Sequence, residues 1–547
     1  MGFIEFILEY KFYILTILTH GIWQLFGIRF SQETKGMNRA IRKGWFFGRG
    51  KDFSDPQWNV WMKNFFLLFS AMILFLFLSF LVRKLSKNNT RIRLIFYNSF
   101  SFIFLFYIHS STALFVYSIA LINFLIIKQF RKQKKTLAIL VWIFNSSILF
   151  SADYYSGYSW KRMHSSLAWL DNYRGMLRWD IYWNISMLRY ISFAFDYHWA
   201  ETKRKVIDLT DRSSYFKRQE RHLPIECYTF EGFIAYIFYV PLYIAGPITT
   251  YNAFYSHIQK PQKQFSLKQI FYLLGQVLLY TLGLEIMLHF NYSYSINDSG
   301  LWRKMPSYRL PMIGHNVLNF MFVKFVVFWR FFRTIALFDG VETPENMTRC
   351  ASNNATFAGF WRSWHASFNK WTIRYLYIPL GGKKTEIYSI WIIFTFIGLW
   401  HDLFIRWLAW AWFNCFFFSF EIVIMKFFRS PKTEKFRNSK FYYPLYISAL
   451  ILDCFCLIIS NLAILHGFQG SYDFIKKMFF TESSWRSWLG VVFTLYVSVE
   501  VMKDIRKPKS ITDPGERSTT YKIGRKQEKV EKEKVEKDKP KKELKQL

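Results

Sequence analysis

Apolar runs close to 20 residues long recur along this chain, at 6–29, 60–83, 93–109, 111–127, 136–152, 230–248, 268–290, 312–338, 386–399, 402–425, 442–466 and 485–502. A helix needs roughly 20 mostly apolar residues to cross a bilayer, so the repetition predicts on the order of ten to twelve spans. The composition agrees: of 547 residues, 52% are apolar and 21% aromatic, more apolar surface than a soluble core hides. Disorder over most of the length is excluded, because it requires low hydrophobicity. A disulfide scaffold is excluded by a count of five cysteines. The expected fold class is an all-α polytopic integral membrane protein.

Charge narrows the partners. Lys and Arg number 72 against 37 Asp and Glu, a net of +35. The excess is dispersed in short loops: Arg39, Arg42 and Lys43; Lys84, Lys87, Arg91 and Arg93; Lys128, Arg131, Lys132, Lys134 and Lys135; Lys203, Arg204 and Lys205. That dispersion speaks against nucleic acid and for cytosolic loops, anionic lipid or an anionic substrate. The start, Met1 to Glu5, has no basic leader and reads as part of a retained span. From Lys522 to Leu547 the chain has 11 basic and 6 acidic residues with no apolar period, the composition of a disordered tail. Segment 181–199 carries Arg189 and Asp196 among apolar residues, and reads as a span with polar inner groups or as a re-entrant piece.

Ionisable groups inside apolar runs are costly and therefore mark candidate sites. Among the histidines, His109, His289, His315 and His466 read as packed or interfacial, whereas His20, His164, His198, His222 and His257 lie near polar sequence and read as solvated. His365 and His401 differ. A helical spacing places Trp361, His365 and Asn369 on one face at i, i+4 and i+8, and Pro379 with the Gly381-Gly382 pair ends that helix. The following run, 387–425, is nearly twice one span, and His401-Asp402 is the polar place for it to break. Asp402 is adjacent to His401 and faces elsewhere, so the two are not paired. On spacing alone two readings stand: structural hydrogen bonds between helices, or a buried imidazole that takes a proton from an acceptor hydroxyl. No HExxH, CxxC pair, phosphate-binding loop or GxSxG is present, and no metal site is expected.

The runs FWRSWHASFNKWTIRYLYIPLGG at 360–382 and LWHDLFIRWLAWAWFN at 399–414 resemble the membrane-bound O-acyltransferases. The likeness is to the branch with the fungal glycerol-uptake proteins and the Hedgehog acyltransferases. LRWDIYWNISMLRYISFAFDYHW at 177–199, PLYIAGPITTYNAF at 241–254 and WRFFRTIALFDGVETPENMTRC at 329–350 agree with the former.

The resemblance implies a helical bundle around a transmembrane tunnel. It implies N-terminal transmembrane helices over 1–160, a catalytic core over 161–430, C-terminal transmembrane helices over 431–505 and the charged tail over 506–547. It implies His401 as general base and His365 as its orienting or polarising partner. Arg362, Lys370, Arg374, Lys383 and Lys384 become candidates for the CoA phosphates, with membrane-surface anchoring as the other reading. Trp361, Trp364 and Trp400, with Trp371, Trp407, Trp410 and Trp412, become candidates for an acyl channel, and Asn369 for substrate contact. The implied reaction is acyl transfer from acyl-CoA, as co-substrate and with no further cofactor, to the sn-2 hydroxyl of lyso-phosphatidylinositol anchors on proteins, or another lipid-linked acceptor, in the endoplasmic reticulum membrane. Acylation of an N-terminal amine or a Ser, and a non-catalytic role in glycerol uptake, are the alternatives. Asp339, Glu342 and Glu345, just before Asn346, receive no role.

Overall fold

The computed structural model describes residues 3–37, 40–202, 209–481 and 484–506. Arg39, Lys203 to Lys205 and the charged tail beyond residue 506 lie outside the described residues. Met1–Val501 forms one compact unit.

Helices α1 (Phe3–Glu33), α2 (Pro56–Leu85), α3 (Thr90–His109), α4 (Ala113–Phe130) and α5 (Lys134–Tyr154) open the unit. Between α1 and α2 a two-stranded antiparallel ribbon, β1 (Ile41–Lys43) and β2 (Gly50–Asp52), pairs Ile41 with Asp52. The starts of these helices follow local rules. The Asp55 carboxylate accepts the Trp58 N–H at 2.6 Å and Pro56 occupies the first helical position of α2.

Further along the chain come α6 (Trp179–Thr202), α7 (Leu267–Met287), α8 (Leu310–Phe338), α9 (Phe357–Ser363), α10 (Ala366–Thr372), α11 (Glu386–His401), α12 (Ile405–Arg429), α13 (Tyr442–Phe479) and α14 (Ser484–Ile505). Helix α8 runs through the centre, packed against α1, α7 and α13.

Among the described residues six helices are long and apolar enough to cross a membrane: Pro56–Leu85, Thr90–Phe130 (α3 and α4 together), Lys134–Tyr154, Leu267–Met287, Ile405–Phe428 and Tyr442–Gly467. Five of the apolar runs, 6–29, 230–248, 312–338, 386–399 and 485–502, fall outside this set, three of them for identifiable reasons. Run 230–248 breaks into Phe230–Ile237 and Val240–Tyr243, with Pro241 in the first turn of the second piece. Run 312–338 is helical but carries Lys324, Arg330 and Arg333, and run 386–399 lies in a helix of only 16 residues.

Segment 181–199 is a helix with polar inner groups. In α6 both Arg189 and Asp196 are buried. Arg189 donates to the carbonyls of Ile237 and Leu242, and Asp196 accepts from Arg374 at 3.1 Å and from the Tyr375 hydroxyl at 2.9 Å. A buried charge is tolerable when it is paired and hydrogen-bonded in this way. Two histidines read as solvated turn inward instead. His198 is buried with Nδ1 donating to the Arg131 carbonyl at 2.7 Å, and His257 is fully buried with Nδ1 donating to the Ala253 carbonyl at 2.6 Å. In each case a backbone acceptor replaces the water that polar neighbours had suggested.

Candidate active site

The Thr356 hydroxyl starts α9 by accepting the Gly359 N–H at 3.0 Å, and α9 stops at Ser363. The chain then reverses locally. Trp364 is extended and His365 adopts a left-handed conformation, φ 46° and ψ 49°, immediately before α10. For a residue with a Cβ this conformation costs about 1–2 kcal/mol. The single helical face expected for Trp361, His365 and Asn369 is therefore broken at its middle member. The turn is held by aromatic packing, with Trp364 against Phe360 at 5.5 Å and Trp329 at 5.9 Å between ring centroids.

On the other side, α11 ends at His401, Asp402 is extended, and its carboxylate accepts the Phe404 N–H at 3.0 Å to launch α12. The break falls where the polar pair suggested, and Asp402 serves α12 rather than His401. Gly398 lets the two helices meet. A Cβ there would lie 3.1 Å from the Ala411 Cβ, the Leu408 Cα and the Trp407 carbonyl. That close approach seats Trp407 parallel to the His401 ring, with centroids 5.0 Å apart and planes 14° from parallel, and brings Trp410 edge-on at 5.7 Å.

A continuous succession of rings links the two histidines. Trp329 stacks on His365 (4.4 Å), His365 on Phe368 (5.3 Å), Phe368 on Trp400 (4.6 Å), and Trp400 meets His401 (4.8 Å). Trp400 is fixed in turn by Asn184, which accepts its indole N–H at 2.8 Å and donates to its carbonyl at 2.7 Å. The two imidazoles lie close enough to interact electrostatically. His365 is half-exposed and His401 exposed. Among the described residues neither imidazole nitrogen of either histidine has a hydrogen-bond partner in the protein. The buried indole N–H groups of Trp407 and Trp410, against His401, and of Trp361, against Trp410, likewise have no acceptor there. The site thus offers two imidazoles with unengaged ring nitrogens, set among aromatic rings.

The cationic candidates separate. Arg374 is taken up structurally: it bridges Asp196 at 3.1 Å and Glu220 at 2.9 Å and lies over the Trp199 ring, so it is not available to a phosphate. Arg362 is exposed and donates to the Ala358 carbonyl. Lys383 and Lys384 are exposed in the turn that precedes α11, about 24 Å from His401 along that 16-residue helix at 1.5 Å per residue. Lys370 is exposed on α10 and faces the field of Glu342. Asn369 is half-buried one turn beyond His365, and Trp371 donates to the Leu188 carbonyl and Ser192 hydroxyl, both at 2.9 Å.

The acidic loop after α8 acquires roles that the sequence did not disclose. Asp339 is buried and accepts from the hydroxyls of Ser79, Tyr97 and Tyr239, tying α2 and α3 to the end of α8. Glu345 pairs with Arg330 at 3.3 Å and Arg333 at 3.5 Å. Burial pushes the Glu342 carboxyl up to about 7, against the opposing pull of Arg333, Arg218 and Lys370. Trp329 and Phe368, which hold His365, were also missed as site residues. Their only signal in the sequence is membership of the same aromatic-rich segments.

A family model described as the membrane-bound O-acyltransferase family matches residues 136–465. The chain is 32% identical to the membrane-bound O-acyltransferase gup1 of Schizosaccharomyces pombe over 522 residues, covering 92% of this chain and 89% of the relative. It is 30% identical to the membrane-bound O-acyltransferase GUP1 of Saccharomyces cerevisiae, covering 91% of each chain. Likeness to the protein-cysteine N-palmitoyltransferase HHAT of Mus musculus is 25% over 49% of this chain and 56% of the relative. With its helical bundle and the pair of histidines brought together from α11 and the turn before α10, the chain belongs to the membrane-bound O-acyltransferase family.

Proposed function

We propose that the protein takes a fatty acyl chain from acyl-CoA and places it on the sn-2 hydroxyl of a lyso-phosphatidylinositol anchor carried by a protein, in the endoplasmic reticulum membrane. The observation that supports this best is the His401 imidazole: enclosed by Trp400, Trp407 and Trp410, reachable by water, and with ring nitrogens that no described group engages. A hydroxyl is a poor nucleophile near neutral pH, so it needs a base within hydrogen-bond reach.

A neutral His401 accepts the hydroxyl proton as the oxygen attacks the thioester carbonyl carbon. The carbonyl electron pair moves onto its oxygen. Collapse of that intermediate forms the ester and breaks the carbon–sulfur bond, and the departing CoA thiolate takes the proton back from His401. His365, linked to the same site by rings, orients or polarises the reacting groups.

Acylation of a protein amine or Ser is the second reading, favoured by the partial likeness to the palmitoyltransferase. One experiment separates the two. Anchor lipids are analysed by mass spectrometry from cells that lack the protein, rescued with wild type or with His401→Ala. Accumulated lyso-anchors that only the wild type converts to two-chain anchors support the proposal. Normal anchors in every strain remove it and direct the search to protein N-termini.

A further inference from the structure

The left-handed turn at His365 raises the question of what holds it. His365 occupies the position that caps α10, where a short polar side chain ordinarily accepts the free N–H groups of the first turn. Its imidazole makes no such bond. The capping comes from another segment. The Asn346 backbone carbonyl accepts the Ala366 N–H at 3.0 Å, and its side-chain Oδ1 accepts the Ser367 N–H at 3.0 Å. Asn346 is fully buried. Its own N–H donates to the Glu345 carboxylate at 3.1 Å, and Glu345 is itself pinned to Arg330 and Arg333 of α8. On the far side, the Ser367 hydroxyl accepts the Ile248 N–H at 2.9 Å.

We propose that Asn346 is the positioning residue of His365: it caps α10 in place of the histidine, fixes the left-handed turn, and so leaves the imidazole free to face His401. The inference rests on the acyl-transfer reading only for its kinetic test. Asn346 touches no reacting atom, and it acts through the backbone of Ala366 and Ser367. A cap supplied by the histidine itself would tie the ring to the helix end. A cap supplied by Asn346 separates the structural task from the chemical one.

The test compares Asn346→Ala, which removes the Oδ1 acceptor, with Asn346→Asp, which keeps one. Both are made in the full-length protein, in the wild-type and His365→Ala backgrounds, with acyl-CoA as donor. Asn346→Ala is expected to lower kcat about 10- to 100-fold, the scale of a misplaced catalytic group, with KM for acyl-CoA within about twofold of wild type. In the His365→Ala background the same change is expected to cost less than about twofold, because the group it positions is gone. Asn346→Asp restores most of the rate. Equal losses in both backgrounds, or a loss confined to KM, overturn the proposal.

Hydrogen exchange of the peptide containing Ser367 reads the cap without any substrate. Faster exchange in Asn346→Ala but not in Asn346→Asp is expected, and unchanged exchange overturns the proposal whatever the kinetics. A wild-type protein that transfers nothing from acyl-CoA counts against the proposed function, and the exchange measurement then still decides the role of Asn346.

Discussion

The His365 imidazole lies nearly flat against the Trp329 indole, with ring centroids 4.4 Å apart and planes 14° from parallel. Trp329 belongs to α8, the helix at the centre of the bundle, and it is itself buried. The stack therefore ties a catalytic candidate in a short, turned segment to a long helix packed against α1, α7 and α13. Aromatic pairs contribute about 0.5–1.5 kcal/mol beyond the area they bury. Trp329→Leu is accordingly expected to lower kcat by up to about tenfold through loss of ring orientation, while Trp329→Phe keeps most of the rate. Steady-state kinetics check this, and an unchanged kcat in Trp329→Leu would show that the stack does not orient His365.

The left-handed backbone at His365 sets stability against activity. Strain of this kind persists when the surroundings impose it, and it is concentrated at functional sites. Glycine adopts the same conformation without a Cβ penalty. His365→Gly should therefore be more stable than His365→Ala by about 1 kcal/mol, with both strongly reduced in acyl transfer. Thermal midpoints of the two purified variants in one detergent decide the matter. Equal midpoints would mean that the turn is not strained.

Much of this site was legible in the sequence, and the remainder was hidden for physical reasons. His401 could be found because a polar pair in an apolar run of 39 residues is costly wherever it does not serve a break or a reaction, and here it serves the break. His365 could be found as a residue but not as a geometry. Helical spacing places Trp361, His365 and Asn369 together, and nothing local announces a histidine with positive φ, because Asn346 imposes that conformation from 19 residues upstream. Arg374 shows the converse. A cation next to an aromatic run looks available to phosphate until the fold brings Asp196 and Glu220 to it from two separate helical segments. Membrane-embedded character was readable from the apolar runs, and the break ahead of Pro241 follows from that proline, whereas polar neighbours hid the burial of His257, whose Nδ1 donates to the Ala253 carbonyl one helical turn back.

At Gly398 α11 and α12 approach closely: two of the three atoms nearest to an added Cβ would be backbone atoms of α12 at 3.1 Å. Backbone does not move aside as a flexible side chain does. Gly398→Val should push α12 outward and lift Trp407 away from His401, costing about 1–3 kcal/mol as overpacking does. Gly398→Ala, with a single added carbon, should cost less. The expected signature is a lowered thermal midpoint together with at least about tenfold slower transfer for the Val variant, consistent with displacement of a catalytic group. A Val variant as active and as stable as the wild type would mean that the helices accommodate the side chain without shifting His401.

Glu342 supplies a dependence on pH. Burial raises its carboxyl from the ordinary 4.5 to about 7 in the folded protein. Below about pH 4.5 the group is protonated in both folded and unfolded chains and contributes nothing to the difference. Between about 4.5 and 7 the unfolded chain has released the proton while the folded one still holds it, so stability falls as pH rises through this window; above about 7 both are ionised and the cost is constant. Glu342→Gln removes the titration but keeps the polar side chain. Its thermal midpoint should therefore gain on that of the wild type steadily from about pH 4.5 to about pH 7 and hold a constant lead beyond it. A lead that does not grow across this window would show that the surrounding Arg218, Arg333 and Lys370 hold the carboxylate ionised, and that their attraction rather than burial sets the state of Glu342.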